Sequence, residues 1–173
     1  IELEKDLRKG INAAGIKCSK DIDEIENESL DTIFLFHVFE HLYEPRKIMH
    51  KLYKKLKKGG KLILEVPNAN DFLISTLRED SFIKFTLNSQ HLILHTNKSL
   101  EVFLRDANFS EILIKGVQRY PLSNHLNWLR NKKPGGHISN LAIIENRQLE
   151  EVYESSLASI NATDTLVAIA TKN

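Results

Sequence analysis

The side chains best suited to chemistry in this 173-residue chain are three histidines and one glutamate. His37, Glu40 and His41 are closely spaced, and His91 lies further along. Imidazole titrates near neutrality, so any of the three histidines could take a proton as a general base. The competing reading is a structural histidine bonded to a neighbouring carbonyl. Positions i and i+4 also share one face of a helix, so His37 and His41 with Glu40 between them, and His91 nearby, have the make-up of a metal site. A second group of polar and aromatic residues runs from Gln118 to His137. Tyr120 and Trp128 there offer flat faces suited to a ring or sugar, and Arg119, Asn124 and His125 offer polar contacts. The alternative is a packed excursion with one aromatic anchor.

The elements that must position these groups alternate between strand and helix. Thr32–Phe36 is a continuous apolar run that reads as a strand buried on both faces, as in a parallel sheet. Pro45 then opens a helix with Ile48, Met49, Leu52 and Leu56 on one side and Lys51, Lys54, Lys55 and Lys58 on the other. Gly59-Gly60 reads as its stop, and Lys61–Val66 as a strand halted by Pro67. After a mixed stretch, Thr96–Ser99 caps a helix that turns Leu100, Phe103, Leu104 and Ala107 inward. Glu111–Val117 is a further strand. Residues 118–145 read as an insert or cover over the site. A last helix would place Leu149, Val152, Tyr153, Leu157 and Ile160 on one face, and Thr165–Ala170 is the closing strand, expected to be antiparallel. Residues 1–173 form one α/β domain in this reading.

Composition narrows the partners. With 24 basic against 23 acidic side chains the net charge is +1, and the lysines of the Pro45 helix carry no interleaved aromatics, so no nucleic acid is expected. No stretch is long and apolar enough for a membrane span, and there is no signal-peptide core, so no membrane partner is expected. The single Cys18 cannot form an internal disulfide, which makes a reducing cytoplasm the expected location.

The order Asp31-Thr32-Ile33, His37-Val38-Phe39-Glu40-His41-Leu42, Glu44-Pro45, Leu56-Lys57-Lys58-Gly59-Gly60 and Glu65-Val66-Pro67-Asn68 closely resembles the second half of class I S-adenosylmethionine-dependent methyltransferases. The resemblance continues through His91-Leu92, Thr96–Leu100 and Ala107-Asn108-Phe109, with Asn108 where relatives usually carry glycine. It implies a Rossmann-like, doubly wound, mostly parallel sheet with an antiparallel last strand. It implies S-adenosylmethionine as cofactor and a small-molecule or glycan acceptor, with O-methylation favoured. A non-catalytic binding or assembly module on the same fold is the alternative.

The same resemblance implies a cofactor side. Glu2, at what would be the end of a strand, stands where the family places an acid on the cofactor ribose, with Leu3 against the adenine. Asp21 and Ile22 would approach the adenine edge, and Phe36 and His37 the methionine side. The family's central first strand and glycine-rich turn would lie before Ile1, which is not a methionine, so a longer natural polypeptide is expected. His37, His41 and His91 are the candidate catalytic residues. The histidine group is similar to that of metal-assisted methyltransferases, but those carry an acid where this chain has His37, and no metal is assigned from the sequence.

Overall fold

The computed structural model describes residues 1–2, 4–88 and 90–173. A short helix α1 (Lys5–Ala13), capped by the Glu4 carboxylate on Asp6 and Leu7 N–H, has no buried residue. Strand β1 (Leu30–Phe36) follows, then α2 (Pro45–Lys55) and β2 (Leu56–Pro67). Two short helices, α3 (Phe72–Ser75) and α4 (Asp80–Asn88), lead to α5 (Asn97–Asp106) and β3 (Phe109–Val117). The remainder comprises α6 (Leu122–Asn131), two 3-10 turns, α7 (Arg147–Ser159) and β4 (Thr165–Lys172).

The sheet order is β1-β2-β4-β3. β1 runs parallel to β2, and β4 runs antiparallel to β2 on one side and to β3 on the other. Three strands therefore share a direction and the last one opposes them, as the sequence implies. In this register Ile33 and Leu35 lie level with Leu62 and Leu64, and these with Ala170 and Ala168. That face is buried against Met49 and Leu52 of α2 and Leu100 and Leu104 of α5. Fully burying one such side chain contributes about 1.5–3 kcal/mol, so this face holds the domain together.

The opposite face differs from the sequence expectation. Thr32, Phe34 and Phe36 of β1 are exposed, Phe34 by 58% and Phe36 by 54%, so only one face of β1 is buried among the described residues. The helices that pack on the strand, α2 and α5, both lie on the other side, and a β-rich apolar run has the same composition whether one face is covered or two.

Gly59 and Gly60 do not end α2, whose cap is Leu56. They lie inside β2, where the pairing jumps from Leu30–Leu56 to Thr32–Lys61. Gly59 takes φ 76° in this bulge, and a Cβ on Gly60 would stand 2.9 Å from the Lys57 carbonyl and 3.2 Å from those of Leu30 and Asp31. The lysine face of α2 is also not wholly solvated. Lys55 is buried and its Nζ donates to the Ile25 carbonyl at 2.6 Å, while Lys51 pairs with Asp23. Thr96 and Ser99 form a reciprocal capping box at the start of α5, and Asn108 adopts the left-handed φ of 68° that the glycine of relatives would supply.

His95 is packed in this core, stacked on Phe39 and edge-on to Phe103, with Nε2 unpartnered. Burial pushes its pKa down to about 4. The folded state therefore holds fewer protons than the unfolded chain between pH 6.5 and 4, so the stability His95 gives at neutral pH is lost as pH falls through that window. His125, likewise pushed to about 4 by burial, acts in the same direction; Asp71, raised to about 7 by burial, acts oppositely. His95→Phe should shrink the loss of stability between pH 7.5 and 5 by about 2 kcal/mol, measured by urea unfolding at each pH. An unchanged pH slope would remove His95 from this account.

Candidate functional site

The site grows from the carboxyl end of β1. His37 N–H donates to the Glu65 carbonyl at 2.9 Å, extending the strand pairing by one residue, and then takes φ 52°. A non-glycine residue in this region is uncommon and turns the chain sharply away from the sheet. The next residues form a single 3-10 turn, Phe39–His41, rather than the α-helix that an i, i+4 reading assumes. Phe39 is fully buried against His95 and Phe103 and anchors the turn, which carries the Glu40 carboxylate inside with it.

Three histidines converge on that carboxylate. From Glu40 Oε1, His37 Nδ1 is 3.4 Å away, His41 Nε2 3.8 Å and His91 Nε2 4.0 Å. His91 arrives from a distant part of the chain because the Leu92 and Ile93 N–H groups both donate to the Glu40 carbonyl, at 2.9 and 3.2 Å. The rings of His41 and His91 lie 4.9 Å apart. Burial lowers the His91 pKa, partly offset by the Glu40 charge. Glu40 is completely buried, yet neither of its side-chain oxygens accepts a hydrogen bond. His37 has a second set of neighbours: its Nε2 lies 3.0 Å from Glu65 Oε1 and close against Arg119 Nη1.

These groups form one end of a cavity of about 310 Å³. Asp71, Asp164, Phe82, Phe85 and Tyr120 also line it. Asp164 accepts from Arg119 N–H at 2.9 Å, Tyr120 N–H at 2.8 Å and Gln118 Nε2 at 2.9 Å, which fixes the chain as it leaves β3. Burial raises its pKa. Burial likewise raises Asp71, which caps α3 on Leu73 N–H at 2.6 Å, and the Asp164 charge pushes it further up.

The cover over this cavity is more ordered than an irregular insert, because α6 forms its spine. Trp128 does not present a face to a ligand: it is 2% exposed and packs on Phe82 and Phe85. His125 is buried too, bonded through Nδ1 to the Tyr153 hydroxyl. Asn124 lines the cavity and accepts from the Gly135 and Gly136 N–H groups, and a Cβ at Gly136 would collide with the Ser123 carbonyl. Lys132, at the far end of α6, pairs with Glu79 at 2.7 Å. In α7 only Leu157 of the apolar stripe is buried; Val152 and Ile160 are about 60% exposed. Asp71, Asp164 and Glu65 were not singled out from the sequence. The one signal was position: Asp71 follows the Val66-Pro67-Asn68 strand end, and Asp164 immediately precedes β4.

On the expected cofactor side, Glu2 is not at a strand end. Its carboxylate accepts from Glu4 N–H at 2.8 Å and its own N–H donates to Ser19. Leu3 lies outside the described residues. Asp21 caps a 3-10 turn on Asp23 N–H, and the Ile22 side chain is buried in the core. Phe36 and His37 stand together where β1 ends, with the Phe36 ring open to solvent.

Residues 5–113 match a family model described as a methyltransferase domain. No curated protein matches. Among solved structures, an S-adenosylmethionine-dependent methyltransferase from Archaeoglobus fulgidus superposes with a TM-score of 0.62 at 17% identity, covering 99% of this chain and 74% of that one. One from Thermotoga maritima superposes with a TM-score of 0.63 at 16% identity, covering 99% of this chain and 71% of the other.

Because Asp164 serves three donors at the root of the cover, Asp164→Ala should lower the unfolding free energy by about 1–3 kcal/mol and speed proteolysis within residues 118–145. Asp164→Asn, which keeps an acceptor oxygen, should lose less. Equal stability of Asp164→Ala and the parent in urea titrations would refute the anchoring role.

Proposed function

The chain belongs to the methyltransferase-domain family, and from that premise we propose that it O-methylates a small-molecule or sugar acceptor held in the cavity between the histidine cluster and α6. S-adenosylmethionine, the donor of this family, supplies a methyl group activated on a sulfonium sulfur. The residues at the end of β1 fit such a donor: Phe36 offers an exposed apolar ring at the carboxyl edge of a parallel strand, beside the His37 turn. Phe36 and His37 would hold its methionine side. Asp21 and Ile22, with Glu2 and Leu3, would hold its nucleoside side.

The observation that carries this reading is the convergence of His37, His41 and His91 on one wall of the cavity. A hydroxyl acceptor must give up its proton as its oxygen bonds to carbon, and imidazole nitrogens are suited to take it at neutral pH. The cavity, about 310 Å³, is at the lower end of the range for small-molecule pockets, which favours an acceptor no larger than a monosaccharide or a single substituted ring. Tyr120 and Phe85, both exposed and lining the cavity, offer aromatic faces for such a ring, whereas Trp128 is buried.

Incubation of the full natural polypeptide with methyl-labelled donor and matched sets of hydroxylated and amino acceptors should yield methyl ethers, identified by mass and NMR. Transfer confined to nitrogen, or to macromolecules, would overturn the reading. His37→Ala should lower kcat by about 10²-fold with an unchanged thermal midpoint; full activity in that variant would take His37 out of the mechanism.

A further inference from the structure

We propose that Glu40, His41 and His91 bind a first-row divalent transition-metal ion, of the Zn²⁺ or Mn²⁺ kind, at the wall of the cavity. One ligand atom from each of the three lies within 4.8 Å of the others. Two ligands about 2.1 Å from one ion in tetrahedral array stand about 3.4 Å apart. The observed separations of 3.8 and 4.0 Å from Glu40 Oε1 exceed that by a few tenths of an ångström, within reach of small side-chain rotations.

Two independent features point to a cation. The first is the Glu40 carboxylate, which has no exposed surface and no hydrogen bond to either oxygen. A buried carboxylate in that state is costly unless a cation lies against it. The second is the orientation of the imidazoles. His41 Nδ1 lies 3.0 Å from the Gln90 carbonyl, to which it must donate, so in the neutral ring the Nε2 lone pair is directed toward Glu40. A lone pair facing a carboxylate is repulsive, and a metal ion between them makes it attractive. A backbone carbonyl on the second ring nitrogen is the usual outer support of a metal-bound histidine. His91 also has a hydrogen bond to the Thr86 backbone.

His37 is not part of the set. Its Nδ1 faces the same Glu40 Oε1 at 3.4 Å, but Glu65 and Arg119 stand against its Nε2, and the guanidinium charge disfavours a second cation there. Two imidazoles and one carboxylate select transition metals over Mg²⁺ or Ca²⁺, which prefer oxygen, and three protein ligands leave a position open toward the cavity. An acceptor oxygen in that position would be polarised by the ion and would release its proton to His37 as the methyl carbon bonds to it. This role rests on the O-methylation reading; the binding site itself does not.

Calorimetric titration of Zn²⁺, and separately Mn²⁺, into chelator-treated full-length protein should show one site, with Ca²⁺ giving no comparable binding. Glu40→Gln and His91→Ala should each weaken it at least about tenfold, whereas His50→Ala, a surface histidine paired with Asp106, should leave it unchanged. If Glu40→Gln does not fold, His41→Ala provides the same readout from a more exposed ring. No single-site binding, or binding that survives loss of Glu40 or His41, overturns the proposal. The titration contains neither donor nor acceptor, so its failure leaves the O-methylation reading standing, and failure to find an ether product leaves the metal site standing.

Discussion

β2 and β3 are not neighbours in the sheet; between them lies β4, the eight-residue strand Thr165–Lys172. Its backbone bonds to β2 on one edge and β3 on the other, and its alternate residues Leu166, Ala168 and Ala170 complete the buried face. The entry to β4 also builds the site. Asn68 N–H donates to the Asp164 carbonyl, and Asn68 Nδ2 to that of Thr163, both at 2.8 Å. These bonds tie the carboxyl end of β2 to the segment that anchors the cover. The position of Asp164 at the cavity is thus a consequence of sheet pairing rather than of its own local sequence.

How far the sequence could be read depended on the range over which each signal acts. Pro45 and the Thr96–Ser99 box act within one turn, and both helices start where those residues require. Asn108 is a local conformational requirement met by a tolerant residue. The Gly59-Gly60 pair misled because a glycine pair suits a helix end and a strand bulge equally well, and only the backbones of Leu30 and Asp31 distinguish them. Trp128 reads as a ligand platform because nothing in its own neighbourhood records Phe82 and Phe85, which arrive from another helix.

The histidine cluster shows the same division. That His37, His41 and His91 meet was legible from their spacing and matched positions, but the geometry that brings them together was not. An α-helix would have set His37 and His41 side by side. The 3-10 turn instead buries Glu40 between them, with Phe39 as the apolar anchor, and Glu40 becomes the common centre. A carboxylate inside a cluster of imidazoles has its reactivity governed by what lies between the rings, since each ring can offer either a proton or a lone pair.

Helix α6 is tied at each end: Asp164 grips the chain ahead of it, and the Lys132–Glu79 pair holds its C-terminal cap. A segment fixed at one end can swing, whereas one fixed at both can only flex between its attachments. Tyr120 and His137, which line the cavity, are exposed, and their rings lie 5.7 Å apart. Side-chain rotations there occur in nanoseconds, far faster than the microsecond-to-millisecond motions of hinged lids. A helix tied at each end in this way leaves ligand admission to the side chains at those exposed rings.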